Sequence, residues 1–302
     1  MKSRQYFVYD VFADSVLSGN PLAVVMDAEG LDDDRMQAIA REFNLSETVF
    51  VLPPKNPIHK ASIRIFMPRG ELPFAGHPTV GTAVALAERV SDNAAAGILV
   101  LEEKVGPVRC VVTRGAGGTF AEFDLPKLPA RLEASIDASA VAAALGLGPH
   151  EIGFENHRLG VWSAGVPYVT VPVAGLDEAG RAAVDAARWL DIAPRIGCSV
   201  PAPYVYCRET VGHDCAFHAR MFSPWDGIAE DPATGSAAAA FAGAIHHFDR
   251  PVDGQHRLWI EQGIEMGRPS RIRLEIDVAT GHLTHARIGG HATKVAEGLL
   301  YA

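Results

Sequence analysis

The stretch Glu71-Leu72-Pro73-Phe74-Ala75-Gly76-His77-Pro78-Thr79-Val80-Gly81-Thr82 decides the fold, because a polar Gly-His-Pro turn runs directly into an almost wholly apolar segment. Pro78 suits the first turn of a helix, where its missing N–H costs no hydrogen bond. The segment 79–87 is then apolar on every side, which is typical of a helix buried inside a domain. We therefore predict a core helix that begins at a polar turn.

A second stretch repeats this pattern later in the chain. Glu230-Asp231-Pro232-Ala233-Thr234-Gly235-Ser236 leads into the apolar run 237–245. Upstream, Arg64-Ile65-Phe66-Met67-Pro68 precedes the first turn as Arg220-Met221-Phe222-Ser223-Pro224 precedes the second. Further upstream, Gly-Asn-Pro at 19–21 and Gly-Val-Pro at 165–167 each lead into an apolar strand-like segment. Three paired landmarks in the same order indicate an internal duplication.

The duplication predicts an α+β fold of two pseudo-symmetric lobes. The 302 residues suffice for two cores of about 150 residues each. Strand-like segments dominate both halves, so each lobe is expected to be a curled, mostly antiparallel sheet around a central buried helix. We assign 1–127 to the N-terminal lobe and 128–284 to the C-terminal lobe, with the final strand or strands of 285–302 returning to the first lobe. The active site is expected in the cleft between the lobes.

Local signals predict further elements. A helix over 31–43 has Asp32 or Asp33 as its N-cap and ends at Asn44. The spacing of apolar residues predicts one amphipathic helix over 176–190, and separate strands over 283–288 and 294–299.

Composition excludes several classes of function. The hydrophobic content of 48% and charged content of 21% are those of an ordinary globular protein. A net charge of −9 without a Lys or Arg run disfavours nucleic acid as a partner. No apolar stretch reaches the roughly 20 residues that a membrane span needs, and no targeting segment is recognised, so we predict a cytoplasmic protein with no membrane association.

The cysteines give no sign of a metal centre or a disulfide framework. None is in a C-x-x-C spacing, which favours reduced structural thiols. Two of them lie near His213 and His218, but the spacing matches no common zinc pattern, so no metal is predicted. The four cysteines are Cys110, Cys198, Cys207 and Cys215.

Two polar helix starts offer a site for a small anionic substrate. Unpaired N–H groups and the positive end of the helix dipole can hold a carboxylate there. The small residues Gly76, Ala233 and Gly235 would let a ligand approach the backbone. A carboxylate or imidazole beside a bound carboxylic acid can move a proton at an adjacent carbon, and Glu47, His77 and Asp231 are the candidates.

Each of these residues also has an ordinary structural interpretation. Spacing alone places Glu47 in a solvated junction between helix and strand, because glutamate is mostly exposed. Asp231 before Pro232 can be a helix N-cap, and His77 can be a hydrogen-bonded loop histidine. The hydroxyl residues near the two turns can equally be helix caps: Thr79, Thr234 and Ser236.

Several long motifs resemble those of the PhzF family of phenazine biosynthesis isomerases. These are Gly-Asn-Pro at 19–21, Asn44-Leu45-Ser46-Glu47-Thr48, the segments 71–78 and 230–236, and Glu261-Gln262-Gly263-Ile264-Glu265-Met266-Gly267-Arg268-Pro269-Ser270. The resemblance spans nearly the whole chain and implies a diaminopimelate epimerase-like fold. It also implies a homodimer that uses no metal or organic cofactor.

The same resemblance implies that Glu47 is the general acid/base. The matching glutamate of the phenazine enzyme takes a proton from C3 of trans-2,3-dihydro-3-hydroxyanthranilate and returns one to C1, after which the enol becomes a ketone. By this similarity His77 and Asp231 are hydrogen-bonding partners in the site. Ser46, Gly76, Ala233, Gly235 and Ser236 position the substrate.

Two other functions stay open from sequence. One is a different isomerase or epimerase of a small amino or hydroxy acid, and the other is a binding protein that holds a small carboxylate without turnover. Related epimerases use a pair of cysteines at the two helix starts, but Ala75-Gly76-His77 and Pro232-Ala233-Thr234 contain none. A two-cysteine mechanism is therefore disfavoured.

Overall fold

A computed structural model describes residues 2–89 and 96–302 and shows an α+β protein. The chain divides into two compact units, Met1–Pro126 with Ile288–Ala302, and Lys127–Arg287. No helix in the described ranges is both long and apolar enough to cross a membrane.

Among its described residues, the first unit contains two helices and eight complete strands. The helices are α1 (Asp33–Phe43) and α2 (Gly76–Glu88). The strands are β1 (Ser3–Val11), β2 (Asn20–Val25), β3 (Glu47–Leu52), β4 (Ala61–Met67), β5 (Gly70–Leu72), β6 (Ala96–Glu103), β7 (Gly106–Gly115) and β8 (Gly118–Asp124). Its strand pairs are mostly antiparallel, with parallel pairs between β2 and β3 and between β4 and β6.

Helix α2 is buried along nearly its whole length. Every residue from Gly76 to Leu86 is buried, and the helix packs against β1, β2, β3, β6, β7 and β8. The sequence placed Pro78 in the first turn after a polar loop, and the observed helix begins at Gly76, so that Gly76 and His77 also belong to its first turn. The Gly-His-Pro segment is thus the start of the helix and not a loop that precedes it.

Both ends of helix α1 are determined by the residues immediately next to it. The side chain of Asp32 accepts a hydrogen bond of 2.8 Å from the backbone N–H of Arg35, so Asp32 is the N-cap. Asn44 adopts the left-handed conformation that ends a helix. Strand β3 starts at Glu47 directly after this turn and lies parallel to β2 with Leu22 opposite Glu47.

The second unit contains the remaining elements. Its helices are α3 (Ala138–Ala144), α4 (Leu176–Arg181), α5 (Ala186–Ile192) and α6 (Gly235–Asp249). Its strands are β9 (Ala130–Leu132), β10 (Gly160–Ser163), β11 (Pro167–Pro172), β12 (Ala202–Cys207), β13 (Phe217–Ser223), β14 (Ile228–Asp231), β15 (Gly254–Gln262) and β16 (Ser270–Ala279). Helix α6 is buried from Ala237 to Ile245 and packs against β9, β10, β11 and β16.

The single amphipathic helix predicted over 176–190 is wrong. The chain forms α4 and α5 instead, and the side chain of Asp185 caps α5 by accepting from Arg188 N at 3.1 Å. The carbonyl groups of Ala179, Gly180 and Ala182 at the end of α4 accept hydrogen bonds from Arg220 of β13. Because the guanidinium satisfies these carbonyls, the helix does not need to continue.

The two strands predicted near the C-terminus are one continuous strand, β17 (His282–Tyr301). Its residues from Ile288 onward belong to the first unit, where they pair with β1. Gly289 lies within this strand, and an added Cβ there would lie 2.7 Å from both Glu122 Cβ and Phe120 Cζ. The glycine therefore permits close packing instead of marking a turn.

Candidate active site

Helix α2 begins without a side-chain cap. Ala75 occupies the N-cap position in an extended conformation and has no side chain that could accept from the first-turn N–H groups. Ala75 therefore supplies no acceptor of its own, and the positive end of the helix dipole lies at Gly76.

Glu47 and His77 lie together in the first unit. His77 Nε2 is 3.3 Å from Glu47 Oε2. Glu47 is 8% exposed and His77 is 4% exposed. The spacing-based interpretation of Glu47 as a solvated carboxylate is therefore wrong, because β3 begins under the start of α2 and the side chain of its first residue turns inward. Ser46, the preceding residue, is half-buried.

His77 is neutral at physiological pH. Its burial disfavours the imidazolium form and lowers the pKa of His77 to about 3. The contact with Glu47 is therefore one between a carboxyl group and a neutral imidazole, which can either donate or accept a hydrogen bond through a given nitrogen depending on its tautomer.

This depressed pKa predicts an acid sensitivity that His77→Gln should reduce. The unfolded chain binds a proton at His77 below about pH 6.5, whereas the folded chain does not until about pH 3. The depressed pKa of His77 therefore leaves the free energy of unfolding unaffected above pH 6.5. Between pH 6.5 and pH 3 it lowers the free energy of unfolding by at most about 1.4 kcal/mol per pH unit as the pH falls.

Guanidinium unfolding followed by circular dichroism from pH 7 to pH 4 measures this slope. The wild-type free energy of unfolding should fall more steeply than that of His77→Gln, while the exposed His285→Gln serves as the matched control. Equal slopes for wild type and His77→Gln would contradict the assignment of a neutral buried imidazole.

The corresponding helix start in the second unit carries Asp231. Asp231 is the last residue of β14 and is 6% exposed. Its Oδ2 accepts a hydrogen bond of 2.6 Å from Thr234 Oγ1. The interpretation of Asp231 as the N-cap of α6 is wrong, since Thr234 occupies that position and no side-chain hydrogen bond caps this helix.

The small residues and the hydroxyl residues proposed for the two helix starts have defined surroundings in the structure. Ala233 and Gly235 are buried at the beginning of α6. Ser236 is half-buried, and its Oγ lies 2.7 Å from Tyr168 OH. In the first unit, Thr79 Oγ1 donates to the carbonyl of Ala75 at 2.7 Å. These hydroxyl residues therefore do not cap the helices through their side chains, contrary to that interpretation.

None of the four cysteines lies at either helix start. Burial raises the pKa of Cys207 to about 12 and that of Cys215 to about 11. Burial also raises the pKa of Cys110, and Cys198 is exposed outside both helix starts. Within residues 2–89 and 96–302, no group of three or more His, Cys, Asp or Glu side chains is arranged to hold a metal ion.

Comparison with known proteins identifies the family. The family model described as phenazine biosynthesis-like protein, PhzC-PhzF, matches residues 9–298. The chain belongs to the PhzC-PhzF family. A protein of Mesorhizobium japonicum named as an uncharacterized isomerase is 65% identical to this PhzF-family chain over 302 residues, with 100% of both chains covered. The resemblance seen in the sequence motifs is thereby confirmed.

Two further similarities concern enzyme class and fold. The trans-2,3-dihydro-3-hydroxyanthranilate isomerase of Pseudomonas aeruginosa is 38% identical over 299 residues and 99% of each chain. The crystal structure of the Bacillus anthracis phenazine biosynthesis protein of the PhzF family has a TM-score of 0.89 at 27% identity and covers 100% of both chains. The PhzF-family chain is therefore an isomerase with the α+β fold of its family.

Sequence reasoning missed two buried residues that contact the helix starts, Glu103 and Gln262. Alternation with Leu101 places Glu103 on the inner face of β6, but a glutamate is mostly exposed, so composition gives no reason to single it out. Gln262 lies within a quoted motif, but its partner segment is about thirty residues away in sequence, which local patterns do not reveal.

Proposed function

We propose that the protein is a cofactor-independent isomerase that moves a proton between two carbons of a small carboxylate, with Glu47 as the acid/base. The observation that carries this proposal is the 3.3 Å approach of His77 Nε2 to Glu47 Oε2 at the uncapped start of α2. A carboxylate, an imidazole and a helix dipole converge there in a largely desolvated place.

The chemistry needs one base that becomes an acid. Glu47 would take a proton from a substrate carbon, the C–H electrons would shift through the adjacent double bond, and the protonated Glu47 would return a proton to a second carbon. Because the same group removes and restores the proton, the net charge of the site is unchanged after the cycle. General acid–base catalysis of this kind contributes about 10²–10⁴-fold to a rate.

His77 would orient Glu47 without competing for its proton. The 3.3 Å approach of His77 Nε2 to Glu47 Oε2 is close but is not a hydrogen bond in this structure. A small movement on substrate binding would let a neutral imidazole with hydrogen on Nε2 donate to that oxygen and leave the other oxygen for the substrate. The low pKa of His77 keeps the imidazole from removing the proton that Glu47 carries in mid-reaction. His77 is thus a hydrogen-bonding partner in the proposal, not a second base.

The substrate is proposed to be an anion held by backbone donors. The net charge of −9 opposes a negatively charged ligand at long range, so short-range donors must hold it. The uncapped start of α2 at Gly76 and that of α6 at Gly235 offer such donors. We further propose that Ser46 contributes to substrate binding at the start of α2, and that Asp231, Ala233 and Ser236 contribute to substrate binding at the start of α6.

Among small carboxylates, the relatives favour trans-2,3-dihydro-3-hydroxyanthranilate. The Pseudomonas aeruginosa relative at 38% identity carries the name of that isomerase. This substrate has the carboxylate and the removable C3 proton that the proposed chemistry requires. We also propose the homodimer and the diaminopimelate epimerase-like arrangement that the motifs imply.

A substrate panel tests the proposal. The wild-type protein is incubated with trans-2,3-dihydro-3-hydroxyanthranilate and with small amino and hydroxy acids, and conversion and carbon-bound deuterium exchange are measured for each. Conversion of the anthranilate precursor would support the full proposal. Exchange only with another acid would retain the isomerase chemistry and replace the substrate. Calorimetric binding without conversion or exchange would overturn the proposed function in favour of a binding protein.

A further inference from the structure

The two units place a polar residue at the same point of the same strand arrangement. In the first unit β4 pairs with β5 and lies parallel to β6, with Ser62 opposite Glu102. In the second unit β13 pairs with β14 and lies parallel to β15, with His218 opposite Glu261. Glu103 and Gln262 are the next residues, and they end β6 and β15.

The preceding glutamates show how closely the two arrangements agree. Glu102 and Glu261 each accept hydrogen bonds from two consecutive backbone N–H groups and from a histidine Nδ1. The donors to Glu102 are Lys55 N (2.8 Å), Asn56 N (2.7 Å) and His59 Nδ1 (2.9 Å). The donors to Glu261 are Val211 N (2.7 Å), Gly212 N (2.8 Å) and His218 Nδ1 (2.9 Å). Because successive strand residues face opposite sides, Glu103 and Gln262 are directed away from these groups.

Gln262 holds the segment that carries Asp231. The side chain of Gln262 is fully buried and donates through Nε2 to the carbonyl of Asp231 at 2.7 Å and to Thr234 Oγ1 at 3.0 Å. Its Oε1 accepts from Thr234 N at 3.2 Å. Thr234 in turn donates to Asp231 Oδ2, so Gln262 fixes both the backbone of Asp231 and the hydroxyl group that orients its carboxylate.

Gly263 brings this strand end against the same segment. Its φ is +74°, and an added Cβ would lie 2.6 Å from the Pro232 carbonyl oxygen and 2.5 Å from that of Arg268. The two backbones approach so closely that a side chain at position 263 would push the end of β15 away from the Asp231–Pro232 segment.

Glu103 holds the start of α2 through Thr79. Thr79 Oγ1 lies 2.8 Å from Glu103 Oε1 and 2.7 Å from the carbonyl oxygen of Ala75. A hydroxyl group has only one proton, so it cannot donate to both acceptors. Each contact is a full two-centre hydrogen bond when Glu103 is a neutral acid that donates to Thr79, while Thr79 donates to Ala75.

The surroundings of Glu103 agree with a neutral acid. Glu103 Oε2 is buried and has no hydrogen-bond partner among the described residues. Burial raises the pKa of Glu103 to about 8. Of the elements packed on β6, β7 contributes the Cys110 thiol and α2 contributes the neutral His77.

The nearby charged groups are engaged elsewhere. Arg64 of β4 binds Glu71 and Asp33, and Lys104 also binds Glu71. Within the described part of the chain, no cation forms a hydrogen bond or an ion pair with the Glu103 carboxyl group.

We propose that Glu103 and Gln262 are paired positioning residues, each donating a hydrogen bond to a threonine that fixes one helix start, and that Glu103 does so as a neutral carboxylic acid. The link to catalysis rests on the proposed function, because the two helix starts carry His77 and Asp231. In each unit the order is the same: buried donor, threonine hydroxyl, then an oxygen of the segment that leads into the helix.

Hydrogen–deuterium exchange tests the positioning role without any substrate. Glu103→Leu should lower the protection of backbone amides in peptides covering 72–84, and Gln262→Leu in peptides covering 228–240, by about tenfold or more in each case. Glu103→Gln should keep wild-type protection because its amide also donates. Matched controls are the exposed Glu42→Leu and Gln255→Leu. Unchanged protection at the helix starts in both leucine variants would overturn the proposal.

The pH profile distinguishes positioning from simple packing. Protection of 72–84 in the wild type, corrected for intrinsic exchange rates, should fall as pH rises above about 8, whereas Glu103→Gln should show no such fall. Gln262→Glu should hold its helix start when the new carboxyl is protonated and release it at higher pH. Wild type and Glu103→Gln with the same profile would exclude the neutral-acid role.

Kinetics add a readout that separates this inference from the proposed function. If the protein turns over the tested substrate, Gln262→Leu should lower kcat by about tenfold or more with a smaller change in KM, because in the variant Asp231 would be correctly oriented only part of the time. If no tested substrate turns over but the exchange results hold, the proposed function fails and the positioning role stands. Unchanged kcat in an active enzyme with a loosened helix start would remove the link to catalysis.

Discussion

Replacing Glu47 by glutamine should lower kcat for the isomerisation by about 10²–10⁴-fold and leave substrate affinity within a few-fold of wild type. Glutamine keeps the size and hydrogen-bonding reach of the side chain but cannot accept a proton from carbon. Its amide can still contact His77, which lies 3.3 Å from the present carboxylate oxygen. The loss should therefore fall on the chemical step and not on binding.

Steady-state kinetics and calorimetric titration measure the two quantities separately. Glu42→Gln is the matched control, since Glu42 is an exposed glutamate five residues earlier and its substitution should leave both quantities unchanged. A Glu47→Gln variant with more than about a tenth of wild-type kcat would show that another group moves the proton.

Replacing Phe241 by alanine should lower the free energy of unfolding of the second unit by about 3–5 kcal/mol. Phe241 is fully buried in α6, and its ring centroid lies 4.3 Å from that of Tyr206 and 4.9 Å from that of Phe217. Truncation removes the transfer free energy of the ring and leaves a cavity between α6 and two strands that cannot easily collapse.

Tryptophan fluorescence during denaturant unfolding measures this change in the second unit. All four tryptophans lie between residues 127 and 287, at positions 162, 189, 225 and 259. Phe241→Leu is the graded control and should cost about 1.5 kcal/mol or less, because more of the volume is kept. A loss below about 1 kcal/mol for Phe241→Ala would mean that α6 does not organise this core.

Features encoded by neighbouring residues could be predicted from sequence. The ends of α1 follow from Asp32 and Asn44, whose effects are confined to adjacent backbone groups. The two buried helices follow from apolar segments too continuous for a surface helix. In contrast, the carbonyl groups at the end of α4 accept hydrogen bonds from Arg220, which is about forty residues away in sequence. A local sequence pattern cannot predict this contact or the break between α4 and α5.

In the candidate site too, local features could be predicted from sequence and features that depend on distant residues could not. The turn that precedes β3 was predictable, but the burial of Glu47 was not, because it results from the packing of β3 beneath α2. Motif resemblance, not spacing, singled out Glu47 and His77 as partners. Gln262 and Glu103 were missed because their roles depend on hydrogen bonds to threonines that lie 28 and 24 residues away, respectively.

The most direct test of the account is proton NMR of trans-2,3-dihydro-3-hydroxyanthranilate in D₂O with wild type and with Glu47→Gln. Wild type should convert the substrate with loss of the C3 proton signal and appearance of the signals of the ketone product, while Glu47→Gln should yield neither change on the same timescale. Conversion by Glu47→Gln at the wild-type rate would contradict the central claim that Glu47 carries the proton.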